Sequence, residues 1–300
     1  MKKAPPCGIP ATTHYALRPR PEVILLGEVV HANNLFSEEP LVSIILHDKS
    51  KIEAFLQQDV YLYIYSLGDL DDFFWPYTIW YAEVEDDQVK AIVLMYTGLS
   101  IPNMIALGID AEPLQRLVQS ILHLLPRRFY SHLHPEVEAI IKTQYRLDSR
   151  GQLYKMALKD PSRLALADTS NVVRLSRANL PAIQHLYEVA YPDSWFDPRM
   201  LETEQIFGVI DGAEVVSIAG IHVYSPAYRV AAPGNITTHP DYRGRGLATA
   251  VTARLCQSLL ETVDHIGLNV RIDNPSAVAV YKKLGFEPIG TYGEYMIEAR

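Results

Sequence analysis

The hexapeptide RGRGLA, Arg243 to Ala248, narrows what this chain can fold into more than any other stretch. It lies between the β-rich run RVAAPGNITTH and a long segment with apolar residues at helical spacing. The first turn of a helix presents backbone N–H groups with no internal partner, and the helix dipole adds partial positive charge there. Gly244 and Gly246 remove Cβ atoms where the backbone curls closely, and Arg243 and Arg245 add full charges. The turn therefore reads as a cradle for a diphosphate, or as a solvated bend whose glycines serve geometry alone. It is not a P-loop, which needs a Lys-Ser/Thr pair, and its spacing is not G-x-G-x-x-G.

Composition limits the partners of such a turn. The 300 residues are 48% hydrophobic and 21% charged, the profile of a soluble protein with material for one large domain or two. A net charge of −8 argues against a diffuse basic surface for nucleic acid. With only Cys7 and Cys256, neither a disulfide framework nor a cysteine metal cluster can be built, and a cytoplasmic setting fits best. The proline-broken start has no signal-like apolar run, and no stretch of about 18 apolar residues follows that would span a membrane.

The segment KDPSRLALADTSN, Lys159 to Asn171, separates two patterned halves. Three regions are expected: an irregular arm over 1–35, a domain over 36–165 and a second over 171–300. In the second, VVRLS suggests a strand and Asn179 to Val189 a helix. Two β-rich runs meet at Asp211-Gly212, and RVAAPGNITTH is a further strand. A helix is expected from Leu247 to about Val263, then the strand IGLNVRI, the helix DNPSAVAVYKKLGF and the closing strand TYGEYMIEA. The order is β, α, β-β-β, α, β, α, β. The first half repeats it more faintly, with a hairpin at Asp86 and Asp87 and a stretch from Lys49 to Tyr65 that reads as helical and then β-like.

Three linked pieces make the second half, about Val172 to Ile297, resemble the GNAT superfamily of acyl-CoA-dependent N-acyltransferases. ITTHPDYRGRGLATA is similar to its strand-loop-helix around coenzyme A, LNVRIDNPSAVAVYKKLGF to its next strand and helix, and the element order follows throughout. Ala248 stands where many members carry glycine. The resemblance implies an α/β fold with a mixed sheet, as two tandem GNAT-like domains. It implies transfer of an acetyl group from acetyl-CoA to a primary amine by direct attack in a ternary complex, without a metal. The acceptor is expected to be a small-molecule or peptide amine, with no nucleic acid or membrane partner. A longer acyl donor and a non-enzymatic coenzyme A sensor are the alternatives.

The resemblance also implies residue roles. Ile236, Thr237 and Thr238 would lie along the pantetheine arm, in a slot opened by a splay between their strand and Leu268 to Arg271. Arg243, Gly244, Arg245, Gly246, Leu247 and Ala248 would hold the pyrophosphate, mainly through backbone N–H groups. Asn274 would touch the coenzyme, although Asn followed by Pro275 is also good helix-starting chemistry. Tyr281, two helical turns beyond Asn274, would bind near the sulfur and give the departing thiolate its proton. It also reads as a half-buried aromatic in the stripe Ala277, Val280, Tyr281, Leu284. His222, His239, Glu204 and Glu214 are candidate bases. Tyr191, Asp193, Ser194, Trp195 and Phe196 are candidates for shaping the acceptor site. The first half carries Asp110 and Glu112 where the arginine-glycine turn would stand, and Ile141 at the position corresponding to Tyr281, so it is expected to be degenerate.

Overall fold

The computed structural model describes residues 42–192, 194 and 196–300. The irregular arm expected over 1–35, and Asp193 and Trp195 of the acceptor segment, lie outside the described residues.

In the first half β1 (Val42–Ile45) leads through α1 (Lys49–Leu56) and α2 (Ile64–Asp69) to β2 (Thr78–Glu85), β3 (Gln88–Tyr96) and β4 (Asn103–Ala106). Then come α3 (Ala111–Ile121), β5 (Arg128–Leu133), α4 (Glu138–Ile141) and β6 (Tyr145–Leu158). The second half repeats this order: β7 (Val173–Arg174), α5 (Leu180–Ala190), β8 (Phe207–Asp211), β9 (Glu214–Ser225), β10 (Val230–Thr238), α6 (Leu247–Leu259), β11 (His265–Arg271), α7 (Pro275–Lys283) and β12 (Phe286–Ala299). Both expected hairpins form. Asp86 and Asp87 take φ of 48° and 60°, and Gly212 takes 61°, the left-handed values that two-residue hairpin loops demand.

All strands join one mixed sheet of 12, in the order β1-β2-β3-β4-β5-β12-β6-β11-β10-β9-β8-β7. The order is pseudo-symmetric about its centre, each strand of one half mirrored by its counterpart in the other. The closing strands, however, are exchanged. β12 pairs with β5 of the first half on one side and β6 on the other, while β6 runs against β11 of the second half. The sequence reading places each closing strand in its own half; two 14-residue strands of similar alternation give no local sign of which sheet edge each will complete.

Alternation divides the core between the two faces. On β10, Val230 and Ala232 pack with α1 and α2 on one face, and Ala231 packs with α6 and α7 on the other. α2 lies so close to β9 that a Cβ on Gly68 would sit 2.2 Å from a methyl of Val223. Three expectations shift. The β-like stretch ending at Tyr65 is a turn running into α2, because Ile64 and Leu67 cover the sheet from a helix. The strand at Val172 to Ser176 shrinks to Val173–Arg174, and α6 ends at Leu259, followed by a turn.

Candidate active site

Two adjacent strands part at the centre of the second half. β10 and β11 run parallel but pair only where Val230 faces His265 and Ala231 faces Ile266. The cause is local. Pro233 has no N–H to give, and Asn235 takes φ 52°, so the pairing of β10 with β9 slips after Ala232 and again after Gly234. The Tyr187 hydroxyl on α5 donates to the Asn235 carbonyl at 2.9 Å and props this bulge. Ile236, Thr237 and Thr238 thus lie beyond the last pair with β11, on the strand edge that faces the gap. In the first half β4 stays paired with β5 along its whole length, Asn103 to Ala106 against Tyr130 to Leu133, and no such gap opens.

The gap leads toward the arginine-glycine turn. His239 caps the short turn Pro240–Tyr242 by accepting from the Asp241 N–H. Gly244 and Gly246 follow with φ of 76° and 80°, and Gly246 is the N-cap of α6, with no side chain to satisfy the helix's first N–H groups. A Cβ at either glycine would meet no atom within 4 Å, so the left-handed backbone, and not crowding, calls for glycine. Both arginines fold back on the loop. Arg243 Nε donates to the Thr238 carbonyl at 3.2 Å, and Arg245 donates to the Asp241 carbonyl at 2.9 Å with its guanidinium 4.7 Å over the Tyr242 ring. Leu247 and Ala248 open the helix itself. The corresponding helix of the first half, α3, has Asp110 at its N-cap position without a side-chain capping bond, and Glu112 paired to Arg116 at 2.7 Å.

α7 carries the other two predicted residues. Asn274 is its N-cap, and its Oδ1 accepts from the Ala277 N–H at 3.2 Å and from the Ser276 hydroxyl at 2.8 Å. That oxygen is committed to starting the helix. Tyr281 is 8% exposed, packs edge-on against Phe286 at 6.0 Å, and its hydroxyl has no hydrogen-bond partner among the described residues. Burial, and then proximity to Tyr191, push its phenol well above the usual tyrosine range, so it keeps its proton at neutral pH.

On the α2 face of the sheet a polar chamber spans both halves. Tyr65 of α2 stands 6.5 Å from the His222 ring of β9, and Lys155 of β6 points its Nζ at the Tyr65 ring from 4.9 Å and the Tyr292 ring from 5.8 Å. Glu294 of β12 lies 3.4 Å from His132 of β5. The His132 contact and a hydrogen bond with Tyr130 hold the Glu294 carboxylate below its ordinary range, against the opposing effect of burial. Its charge and, more weakly, Tyr281 and Tyr191 act on Tyr65, which ties this chamber to the α7 tyrosine. Three buried polar atoms here, His222 Nε2, Asn269 Oδ1 and the Tyr292 hydroxyl, have no protein partner among the described residues. Unsatisfied buried groups are costly, and their clustering beside the strand gap marks a place built for a ligand.

Of the four candidate bases, only His222 lies in this chamber. Its ring covers Gly234, where a Cβ would meet ring atoms at 2.4 Å, and burial lowers its pKa. His239 is spent as a cap, Glu204 pairs with Arg174 on the surface, and Glu214 opens β9 exposed at the hairpin. Of the acceptor segment, Tyr191 acts electrostatically on Tyr281, and Phe196 stacks 5.0 Å from Tyr187. Ser194 donates its N–H to the Tyr191 carbonyl. None of Lys155, Glu294, Tyr65, Tyr130 and His132 is a candidate site residue in the sequence, and Glu294 meets Tyr130 and His132 only because β12 runs beside β5. Among the described residues no cluster of three or more His, Cys, Asp or Glu could hold a metal, and no helix is long and apolar enough to cross a membrane.

The comparisons with known proteins bear on this geometry. The family model described as acetyltransferase (GNAT) family matches residues 173–286. An acetyltransferase of Pectobacterium atrosepticum is 34% identical over 107 residues, covering 35% of this chain and 70% of that protein. The chain spans 60% of the length of a Yersinia pestis acetyltransferase that is 33% identical over 92 residues. Among solved structures, a GNAT-family acetyltransferase from Colwellia psychrerythraea superposes with a TM-score of 0.52 at 12% identity, covering 86% of this chain and 99% of the other. A tandem GNAT protein from the clavulanic acid biosynthesis pathway superposes at 0.50 with 15% identity, covering 86% and 97%. These relatives define an acyltransferase. The chain belongs to the GNAT acetyltransferase family, whose members use acetyl-CoA as co-substrate.

Proposed function

We propose that this protein transfers the acetyl group of acetyl-CoA to a primary amine by direct attack, with both substrates bound together. The observation that carries this reading is the β10–β11 gap, which runs from a chamber of unpartnered polar atoms to the uncapped start of α6. A ligand with amide groups and linked phosphates matches those two ends. In this reading Ile236, Thr237 and Thr238 offer their backbone to the pantetheine arm. The backbone N–H groups from Arg243 to Ala248 take the pyrophosphate, and the two arginines stiffen the loop. Asn274 starts the helix whose later turn carries Tyr281.

Bound there, acetyl-CoA supplies an activated acyl carbon. The residues do the rest. Tyr281, buried and protonated, gives its proton to the leaving sulfur. Glu294, with the rings of Tyr65 and Tyr130 nearby, draws in a cationic acceptor, which is a small molecule or a peptide amine. The division into a degenerate first domain at 36–165 and a catalytic one at 171–300 assigns the chemistry to the second, with the first completing the acceptor chamber. A cytoplasmic setting, where acetyl-CoA is made and used, goes with this reading.

Isothermal titration with acetyl-CoA, followed by thiol release across alkyl amines, polyamines, amino acids and peptides, tests the reading. Saturable binding with turnover of at least one amine is expected. Absence of binding, or binding with silence across the whole panel, overturns it.

A further inference from the structure

Lys155 is only 4% exposed, and among the described residues it makes no hydrogen bond or ion pair. Its Nζ faces two tyrosine rings, at 4.9 Å and 5.8 Å. A charged ammonium held so is expensive to bury, and nothing in the packing calls for one, since an apolar side chain of equal length would fill the same space. Its position is specific. In the sheet register Lys155 stands directly across from Asn269 of β11, the strand that bounds the gap, and the Asn269 Oδ1 is one of the three unpartnered atoms.

The groups that act on it are Tyr65 from α2, Tyr292 from β12 and Asp59 from the turn after α1; His222, His132 and Glu294 adjoin those two tyrosines. Of these, Asp59 exerts the attraction that opposes neutralisation. Glu294 is already engaged by His132 and Tyr130.

Resting on the acetyl-transfer reading above, we propose that the neutral amine of Lys155 is the catalytic base, taking the proton that the acceptor nitrogen loses as it bonds to the acyl carbon. Burial brings the Lys155 amine down to about 7, which suits a base working near neutrality. The acceptor, drawn in as an ammonium, first releases one proton to solvent and attacks as the neutral amine, and the balance is then complete. The N–C bond forms and the C–S bond breaks; one proton passes from the acceptor nitrogen to Lys155 Nζ and another from Tyr281 to sulfur. The Lys155 ammonium then returns its proton, through water, to the Tyr281 phenolate. The products are an amide and a free thiol, and both side chains end as they began. Tyr281 and Lys155 thus work from the two faces of the sheet, α7 on one and α2 on the other.

The test is Lys155→Met, which keeps the length and packing of the stem, with Lys155→Gln as a second variant should the first not fold. Each is assayed with acetyl-CoA and n-butylamine, or with the best amine of the panel. Turnover is expected to fall about 100-fold, to lose its rise across neutral pH, and to leave calorimetric affinity for acetyl-CoA unchanged. In the ligand-free protein, the gain in unfolding midpoint above about pH 7 should vanish with the lysine. Wild-type turnover in either variant, or a retained pH rise, overturns the proposal. So does an acetyl group on Lys155, found by peptide mass mapping after incubation with acetyl-CoA alone, since the lysine is then a nucleophile. A wild-type protein that acetylates no amine defeats the acetyl-transfer reading itself, a result the variants are not needed to see.

Discussion

The hydroxyl of Tyr187 donates to the carbonyl of Asn235 at 2.9 Å, so a side chain of α5 holds the one left-handed residue of β10. That contact fixes the bulge after which β10 leaves β11. Replacing Tyr187 with Phe should cost about 1–3 kcal/mol in urea unfolding, because the buried carbonyl loses its donor. Affinity for acetyl-CoA should weaken with it. A variant as stable as wild type and binding equally well would show that the backbone holds the bulge unaided.

Gly246→Val forces a β-branched residue to a φ of 80°. The strain is about 1–2 kcal/mol, small enough for the fold to survive at an exposed turn with open space around it. Calorimetry should nevertheless find acetyl-CoA binding abolished, since the side chain occupies the cradle. Unchanged affinity would count against the turn as the phosphate site. Substituting Arg243 or Arg245 should weaken binding less, as both guanidiniums are bonded to the loop's own carbonyls.

Tyr281→Phe should leave acetyl-CoA affinity intact and lower kcat about 100-fold. The hydroxyl of the buried phenol has no hydrogen-bond partner among the described residues, so it can be removed with little effect on stability while the ring keeps its contact with Phe286. Equal turnover would take the proton-donor role from it.

Lys155 makes stability depend on pH in a definite direction. Its folded pKa of about 7 lies below the ordinary 10.5. Between those values the unfolded chain holds a proton that the folded one does not, so stability rises with pH through the window. Below about 7 both states carry the charge and its burial cost is fully present. The total swing is on the order of 5 kcal/mol. Urea unfolding at pH 6 and pH 9, compared with Lys155→Met, checks the sign.

Gly68→Ala should destabilise by about 1–3 kcal/mol, because the new methyl would lie 2.2 Å from Val223 and α2 would have to lift from β9. Thermal unfolding reads this directly. A neutral result would mean that α2 tolerates displacement, and Tyr65 with it.

The second half was legible because its signals are local. A proline and glycines in the strand RVAAPGNITTH, two glycines before an apolar-periodic run and an Asn-Pro helix start each act within a few residues. Lys155 and Glu294 were not legible in the same way. QLYKMAL shows the period-two pattern of a strand, and its one sign of something unusual is a lysine on the alternate positions shared with Leu153 and Ala157, both buried. Glu294 likewise alternates with Tyr292 on a strand expected to finish its own half. Their meeting depends on which edge β6 and β12 choose, a decision made by pairings some 140 residues apart along the chain.

That choice of edge also orders events during synthesis. β12 is synthesised after the other described strands, and without it β5 has no neighbour on its far side and β6 has none on one flank. The first half therefore emerges with an open sheet edge, a surface prone to wrong partners, and stays so until β12 is made. Neither half closes first; both are completed by the same final strand.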